Sequence, residues 1–178
     1  MDLDLIIRAV CLLGLLLVAT YTDVREHKIY NWTTYPGILL GFFLSWYFDR
    51  LEGFQNSFSG FLACGLIMIV CFLLFDIGGG DVKLIAMVGA FLGLYDGIEA
   101  LLITFIFGSA MGMVILIWQC GFWHLISKIT EHLQLMFKAK GWVSPTEEER
   151  EPLKRWLFLA PSAFAAAVIV MSKPWMDF

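Results

Sequence analysis

From Phe58 to Leu84 the chain reads FSGFLACGLIMIVCFLLFDIGGGDVKL, a long apolar segment followed by glycines and an aspartate. Residues 58–75 carry no charged side chain, and a helix of that length nearly crosses a hydrocarbon core of about 30 Å. A run of glycines and Asp81 follow almost at once. Because an ionisable group at the end of a membrane helix is costly to keep, Asp81 marks a candidate functional site.

The rest of the chain repeats this pattern of long apolar stretches. Hydrophobic residues make up 60% of the 178 positions and charged residues 16%, a composition typical of a membrane protein. The sequence therefore predicts an all-α fold, a polytopic membrane bundle that forms a single domain over residues 1–178. The six predicted transmembrane helices are Leu3–Thr20, Thr34–Phe48, Phe58–Phe75, Val82–Tyr95, Ile98–Trp118 and Leu157–Met171.

Lysine and arginine are unevenly distributed between the predicted connections. Basic residues in short loops are retained on the cytoplasmic side of a membrane. Most of the basic residues fall in every second connection, which is therefore expected on the cytoplasmic side. They are Arg25, Lys28, Lys83, Lys128, Lys138, Lys140, Arg150, Lys154 and Arg155. The opposite side keeps Arg50 and Lys173, with Arg8 near the start of the first span. We therefore expect both termini outside the cytoplasm, and Asp23 and Asp81 together at the cytoplasmic face.

Residues 118–156 hold much of the charge of the chain. Apolar side chains recur there at helical spacing from Phe122 to Phe137, which predicts a cytoplasmic amphipathic helix in the headgroup layer. Ser144, Pro145 and Glu147 combine an N-cap, a proline in the first turn and a capping glutamate. This combination predicts a second, short helix.

The cysteines and histidines do not suggest a metal centre. Cys11, Cys64, Cys71 and Cys120 lack C-x-x-C spacing, and a buried cysteine in an apolar span behaves as a small apolar residue. The three histidines are scattered among polar residues, where solvated interface side chains explain them best. We predict no metal, no cofactor and no nucleic-acid partner.

Two short motifs contain the aspartates. Residues 23–31 read DVREHKIYN after the first apolar stretch, and residues 78–84 read GGGDVKL after the third. Together they resemble the D-x-R and G-x-G-D-x-K-L motifs of the type IV prepilin peptidases, aspartic proteases of the bacterial inner membrane. Asn31 matches the family pattern, whereas Tyr30 stands where the family usually has proline. The resemblance covers nearly the whole chain, and Ala160 and Pro161 are similar to the start of the proline-containing last helix of the family.

The resemblance implies an intramembrane endopeptidase with Asp23 and Asp81 as its catalytic residues. Such an enzyme removes the short basic leader of pilin or pseudopilin precursors at the cytoplasmic membrane face. Its partners would be the substrate helix and the lipid bilayer. The chain is similar to the compact, peptidase-only branch associated with tight-adherence pili, so methyl transfer to the new amino terminus is not expected.

The chemistry of paired carboxylates is consistent with this implication. Two carboxylates in a site of low dielectric constant cannot both ionise. One therefore keeps a proton while the other accepts a proton from a bound water, and the pair titrates as one unit. A site at the membrane surface also lets water reach the peptide bond, which the middle of a bilayer does not.

The residues beside the aspartates each have two interpretations. Gly78, Gly79 and Gly80 could permit positive φ and the close approach of a substrate, or they could simply form the turn after the third span. Lys83 could tune a carboxylate or anchor the fourth span at the membrane surface. Asn31 could contact substrate or cap the second span.

Two other functions stay open. Acidic residues in a helical bundle also relay protons or bind cations in small transporters, although such residues usually lie near the middle of the bilayer. A scaffold for a secretion assembly would not require the aspartates at all. Asp76 is a rival for the pair, but it lacks the glycine context of Asp81, so we assign it a structural role.

Overall fold

Helices make up all the regular structure in the described part of the chain. The computed structural model describes residues 3–75, 78–120 and 159–172, and the predicted all-α class is confirmed for these ranges. The helices are α1 (Leu3–Glu26), α2 (Asn31–Phe75), α3 (Gly79–Leu92), α4 (Leu94–Cys120) and α5 (Leu159–Met171). Asp76 and nearly all of the predicted amphipathic segment 118–156 lie outside the described residues.

Three of these helices are long and apolar enough to cross a membrane. They cover Leu3–Glu26, Asn31–Leu74 and Leu94–Val114, which indicates a membrane protein. Helices α3 and α5 have 14 and 13 residues, shorter than the roughly 20 that a perpendicular crossing takes. The six predicted crossings are therefore not confirmed and stay a prediction.

Helix α2 is a hairpin of two helical arms. A straight helix of its 45 residues would be about 68 Å long, but Arg50 has φ 56° and ψ −134°, which breaks the helix. Phe42 and Phe61 would lie about 28 Å apart along a straight helix, yet their ring centroids are 5.5 Å apart. The first arm (31–49) and the second arm (51–75) therefore lie side by side, and the helix resumes directly after Arg50 rather than at Phe58 as predicted.

Helix α1 is longer than its predicted span, which ended at Thr20. Its last turn includes Asp23 and ends at Glu26. His27 follows with φ 52°, and its N–H donates to the carbonyl of Asp23 at 2.9 Å. This bond to the residue four positions back, from a residue in the left-handed conformation, is a common helix-ending motif. Asp23 thus lies in the capped last turn of α1 and not in a loop after it.

The second arm of α2 and α3 are in very close contact through glycines. A Cβ on Gly60 would overlap the backbone of Gly89 and Gly93. Close approach of this kind is the usual role of small residues between membrane helices. Gly93 has φ 83° and ends α3, while the side-chain oxygen of Asn56 accepts the N–H of Leu94 at 3.1 Å. These contacts fix the last turn of α3 against the second arm of α2.

The far end of α3 from Gly93 is its first turn, which carries Asp81. Helix α5 packs against α1 and also contacts α3. The buried residues of these two helices are mainly small or aliphatic: they include Leu12, Leu16 and Ala19 of α1 and Leu159, Ala160, Ala163, Ala166 and Ala167 of α5. Because alanine lets helix axes approach closely, α5 brings its backbone near α1.

The chain divides into two compact units. One comprises residues 1–107 and 158–178, and the other residues 108–157. The first unit contains both aspartates singled out by the sequence. Most of the second lies outside the described residues, and the single domain predicted over 1–178 stays a prediction.

Gly60→Ala should destabilise the protein, because its added methyl group meets backbone that has no room to move. Overpacking of this kind costs about 1–3 kcal/mol. The matched control is Gly65→Ala on the same arm, whose Cβ would meet the Cβ of Ala86 at an ordinary 3.6 Å. Because alanine also favours helix over glycine by about 0.5–1 kcal/mol, Gly65→Ala should be neutral or slightly stabilising. Thermal unfolding in detergent measures both, and equal midpoints would contradict the packing described above.

Candidate active site

Asp23 is a buried carboxylate in the last turn of α1. Only 8% of its surface is exposed, and its Oδ2 atom accepts the backbone N–H of Ala160 at 3.3 Å. Ala160 is the second residue of α5, and the first N–H groups of a helix have no partner within the helix. The carboxylate of Asp23 therefore connects the end of α1 to the beginning of α5.

Asp81 lies in the first turn of α3, where the helix itself orients it. Gly78 is the N-cap, and the N–H of Asp81 donates to the carbonyl of Gly78 at 3.0 Å. The carboxylate in turn accepts a hydrogen bond from the backbone of Gly78. An acidic side chain at the third helical position that reaches back to the N-cap is one half of a capping box, and the other half is missing here because glycine has no side chain.

The electrostatics of Asp81 reflect both its burial and its neighbour. Burial raises the pKa of Asp81 to about 7, the negative charge of Asp23 adds to the rise, and the hydrogen bond from Gly78 opposes it. Like charges shift each other's ionisation only when they are near one another. At neutral pH about half of the Asp81 side chains therefore keep a proton, whereas an aspartate with an ordinary pKa is fully ionised.

Both aspartates open into one pocket at this end of the helices. It has a volume of about 330 Å³ and is lined by Asp23, His27, Lys28, Ile29, Tyr30, Asn31, Gly78, Gly80 and Asp81. A water molecule takes up about 30 Å³ in the liquid, so the pocket has room for a reacting water and a short piece of peptide. Its wall consists of the α1–α2 connection on one side and the start of α3 on the other.

The three glycines before Asp81 differ in their surroundings. Gly78 has φ −62°, and Gly93 is the one glycine with positive φ in the described ranges, so positive φ is not the reason for glycine at 78–80. Close approach accounts for Gly80, because a Cβ there would lie 3.0 Å from the Cβ of Ile29. Gly79 has open space around it and does not line the pocket.

Asn31 and Lys83 hold the beginnings of α2 and α3 together. The ammonium group of Lys83 donates to Oδ1 of Asn31 at 2.8 Å and lies 5.1 Å from the ring centroid of Tyr35. The carbonyl of Tyr30 accepts the N–H groups of Thr33 and Thr34, so Tyr30 and not Asn31 is at the cap position. The alternative that Asn31 caps α2 is therefore wrong. Its amide oxygen instead accepts a hydrogen bond from the ammonium group of Lys83.

Several residues of the site were not predicted as site residues, among them His27 and Ala160. His27 is exposed, as expected of a solvated side chain, and it also lines the pocket. Its position four residues after Asp23, a spacing that would place both on one face of a helix, was the available signal. Ala160 contributes through its backbone, and only its place before Pro161 in the last apolar stretch pointed to it.

The described residues contain no cluster of candidate metal ligands. No group of three or more histidine, cysteine or acidic side chains there is arranged to hold an ion. The chemistry available in the pocket is that of two carboxyl groups, one of which has a pKa raised to about 7, with space for a water molecule beside them.

Comparison with known proteins gives one match. The model of the type IV leader peptidase family matches residues 10–117, which include Asp23, Asp81 and the helices from α1 through most of α4. Neither a curated protein nor a solved structure matches the chain. The predicted family is confirmed, because the match covers more than half of the 178 residues: the chain belongs to the type IV leader peptidase family.

Proposed function

We propose that the protein is an aspartic endopeptidase in which Asp23 and Asp81 share one catalytic water. The observation that carries the proposal is the single pocket that both carboxylates line, and it is supported by the pKa of Asp81, which is raised to about 7. Family membership supplies the peptidase activity. The carboxylate pair supplies a means of peptide hydrolysis that uses only groups of this chain.

In the proposed reaction Asp23 is the base and Asp81 the acid. Asp23 takes a proton from the water, whose oxygen attacks the scissile carbonyl carbon, while Asp81 gives its proton to the carbonyl oxygen. In the resulting tetrahedral intermediate the carbon bears two hydroxyl groups. Asp23 then passes its proton to the amide nitrogen, the C–N bond breaks, and a hydroxyl proton returns to Asp81 as the new carboxylic acid forms.

The proposed substrate is a pilin or pseudopilin precursor with a short basic leader followed by an apolar helix. The pocket lies at the ends of α1 and α3 rather than halfway along an apolar span, which suits a bond just outside the hydrophobic segment of the substrate. Arg25, Lys28 and Lys83 lie near these helix ends. By the positive-inside rule this end faces the cytoplasm, in the inner membrane of a bacterium.

Asp23→Asn and Asp81→Asn should each abolish most of the cleavage activity. Asparagine keeps the shape of the side chain but can neither accept a proton from water nor exchange one with the neighbouring carboxyl group. Loss of general acid–base catalysis lowers the rate about 10²–10⁴-fold. The measurement is turnover of a full-length precursor in liposomes. Mass spectrometry of the product should place the cut between the basic leader and the apolar helix of the precursor.

The matched control is Asp49→Asn at the opposite end of the helices. Asp49 is an exposed carboxylate paired with Arg8, and exposed ion pairs contribute about 1 kcal/mol or less, so its loss should leave turnover within about threefold. Retained cleavage in either pocket variant would contradict the assignment. Proton or cation flux in the same liposomes, without cleavage by the wild type, would favour the transporter instead.

The cleavage rate should fall as pH rises through about 7. Raising the pKa of Asp81 from 3.8 to about 7 keeps this carboxyl protonated over a range in which an ordinary aspartate is ionised. About nine tenths of the acid form remains one pH unit below the pKa and about one tenth one unit above it. The pH dependence of kcat/KM, measured with a precursor whose leader lacks histidine, checks this, and an alkaline limb that begins only above pH 9 would contradict it.

A further inference from the structure

We infer that the backbone N–H of Ala160, at the start of α5, is a positioning group for Asp23 in the reaction. The inference rests on the proposed function and adds to it a part of the chain outside the residues 10–117 that the family model matches. Asp23 and Ala160 are 137 positions apart in the sequence, and their hydrogen bond is buried.

The bond occupies one oxygen of the carboxylate and leaves the other for the water. Oδ2 accepts the N–H of Ala160 at 3.3 Å. A general base must hold its reacting oxygen within hydrogen-bond reach of the proton that it removes. A carboxylate held at one oxygen presents the second in a fixed direction, whereas an unheld one rotates about χ2.

Burial makes this contact stronger than a surface hydrogen bond. Ala160 is 0% exposed and Asp23 is 8% exposed, so bulk water does not replace the amide at Oδ2. Hydrogen bonds to charged groups are stronger than neutral ones and strengthen where the dielectric constant is low. The positive end of the α5 dipole adds to the stabilisation of a negative charge at this position.

The packing of α5 on α1 makes the amide a fixed part of the site. Ala163 and Ala167 continue the buried face of α5 that begins with Ala160. Alanine side chains at these positions allow the backbone of α5 to come close to the last turns of α1. The N–H of Ala160 is thus held by the interface of two helices and not by a loop.

Replacing the amide at position 160 by an ester tests this role. Lactic acid in place of Ala160, introduced in the full-length chain, keeps the methyl group and removes only the N–H. Hydrogen bonds to charged groups have strengths that correspond to about a 10- to 100-fold change in rate. We expect kcat for a pilin precursor to fall by about that factor with KM within about threefold, and the acidic limb of the pH–rate profile to move to higher pH because the carboxylate has lost a donor.

The matched control is the same ester at Ala163. That position lies one turn further along α5, where an N–H bonds within the helix, so the general cost of an ester is the same but Asp23 is untouched. Its kcat should stay within about threefold of the wild type. Ala160→Pro, which also lacks the N–H and is tolerated in a first turn, should repeat the loss.

The outcomes separate the inference from the function on which it rests. If the wild type cleaves the precursor and the esters at 160 and 163 have equal effects on kcat and on the pH profile, the inference is wrong and the proposed function stands. If the wild type does not cleave any leader precursor, both are overturned. A loss confined to KM at position 160 would also contradict a role in positioning the base.

Discussion

Two carboxylates that line one pocket between the end of α1 and the start of α3 resist being ionised together, and the chemistry of the site depends on that constraint. Asp23 is held in the capped last turn of α1 and bonded to the beginning of α5. Asp81 is held by the first turn of α3 and its glycine N-cap. Each carboxylate is fixed by backbone groups, so their repulsion is relieved by a retained proton and not by movement apart. A shared proton is what an acid and a base need to act in turn on one water.

The glycines between α2 and α3 make this rigidity possible. Gly60, Gly89 and Gly93 remove the side chains that would separate the two helices, and dispersion contacts over the whole length of α3 then fix its first turn. The Lys83–Asn31 hydrogen bond ties the same turn to the start of α2. The position of Asp81 thus depends on packing that begins many residues away, at the other end of α3.

The sequence predicted the parts of the fold and the site that depend on local signals. The apolar stretches predicted helices, and the motifs at 23–31 and 78–84 predicted the family and the two carboxylates that the structure brings into one pocket. Contacts between distant residues left no such signal: the Ala160 bond uses a backbone atom that every residue has. The spans 34–48 and 58–75 were predicted to be separate, but the confinement of the break to Arg50 was not, since arginine is not a residue that usually adopts positive φ. Helix ends were misplaced because α1 continues through polar residues to a histidine cap, which hydrophobicity does not reveal.

The coupling of the two carboxylates can be measured directly by carbon-13 NMR of labelled aspartate side chains in the wild type and in Asp23→Asn. We predict that Asp81 titrates with a pKa of about 7 in the wild type. In Asp23→Asn the pKa of Asp81 should fall, because a like charge has been removed, but it should stay above 3.8 because the group is still buried. Asp49→Asn, which removes a remote carboxylate, should leave the pKa of Asp81 unchanged. An identical Asp81 pKa with and without Asp23 would show that the two groups do not act as a pair.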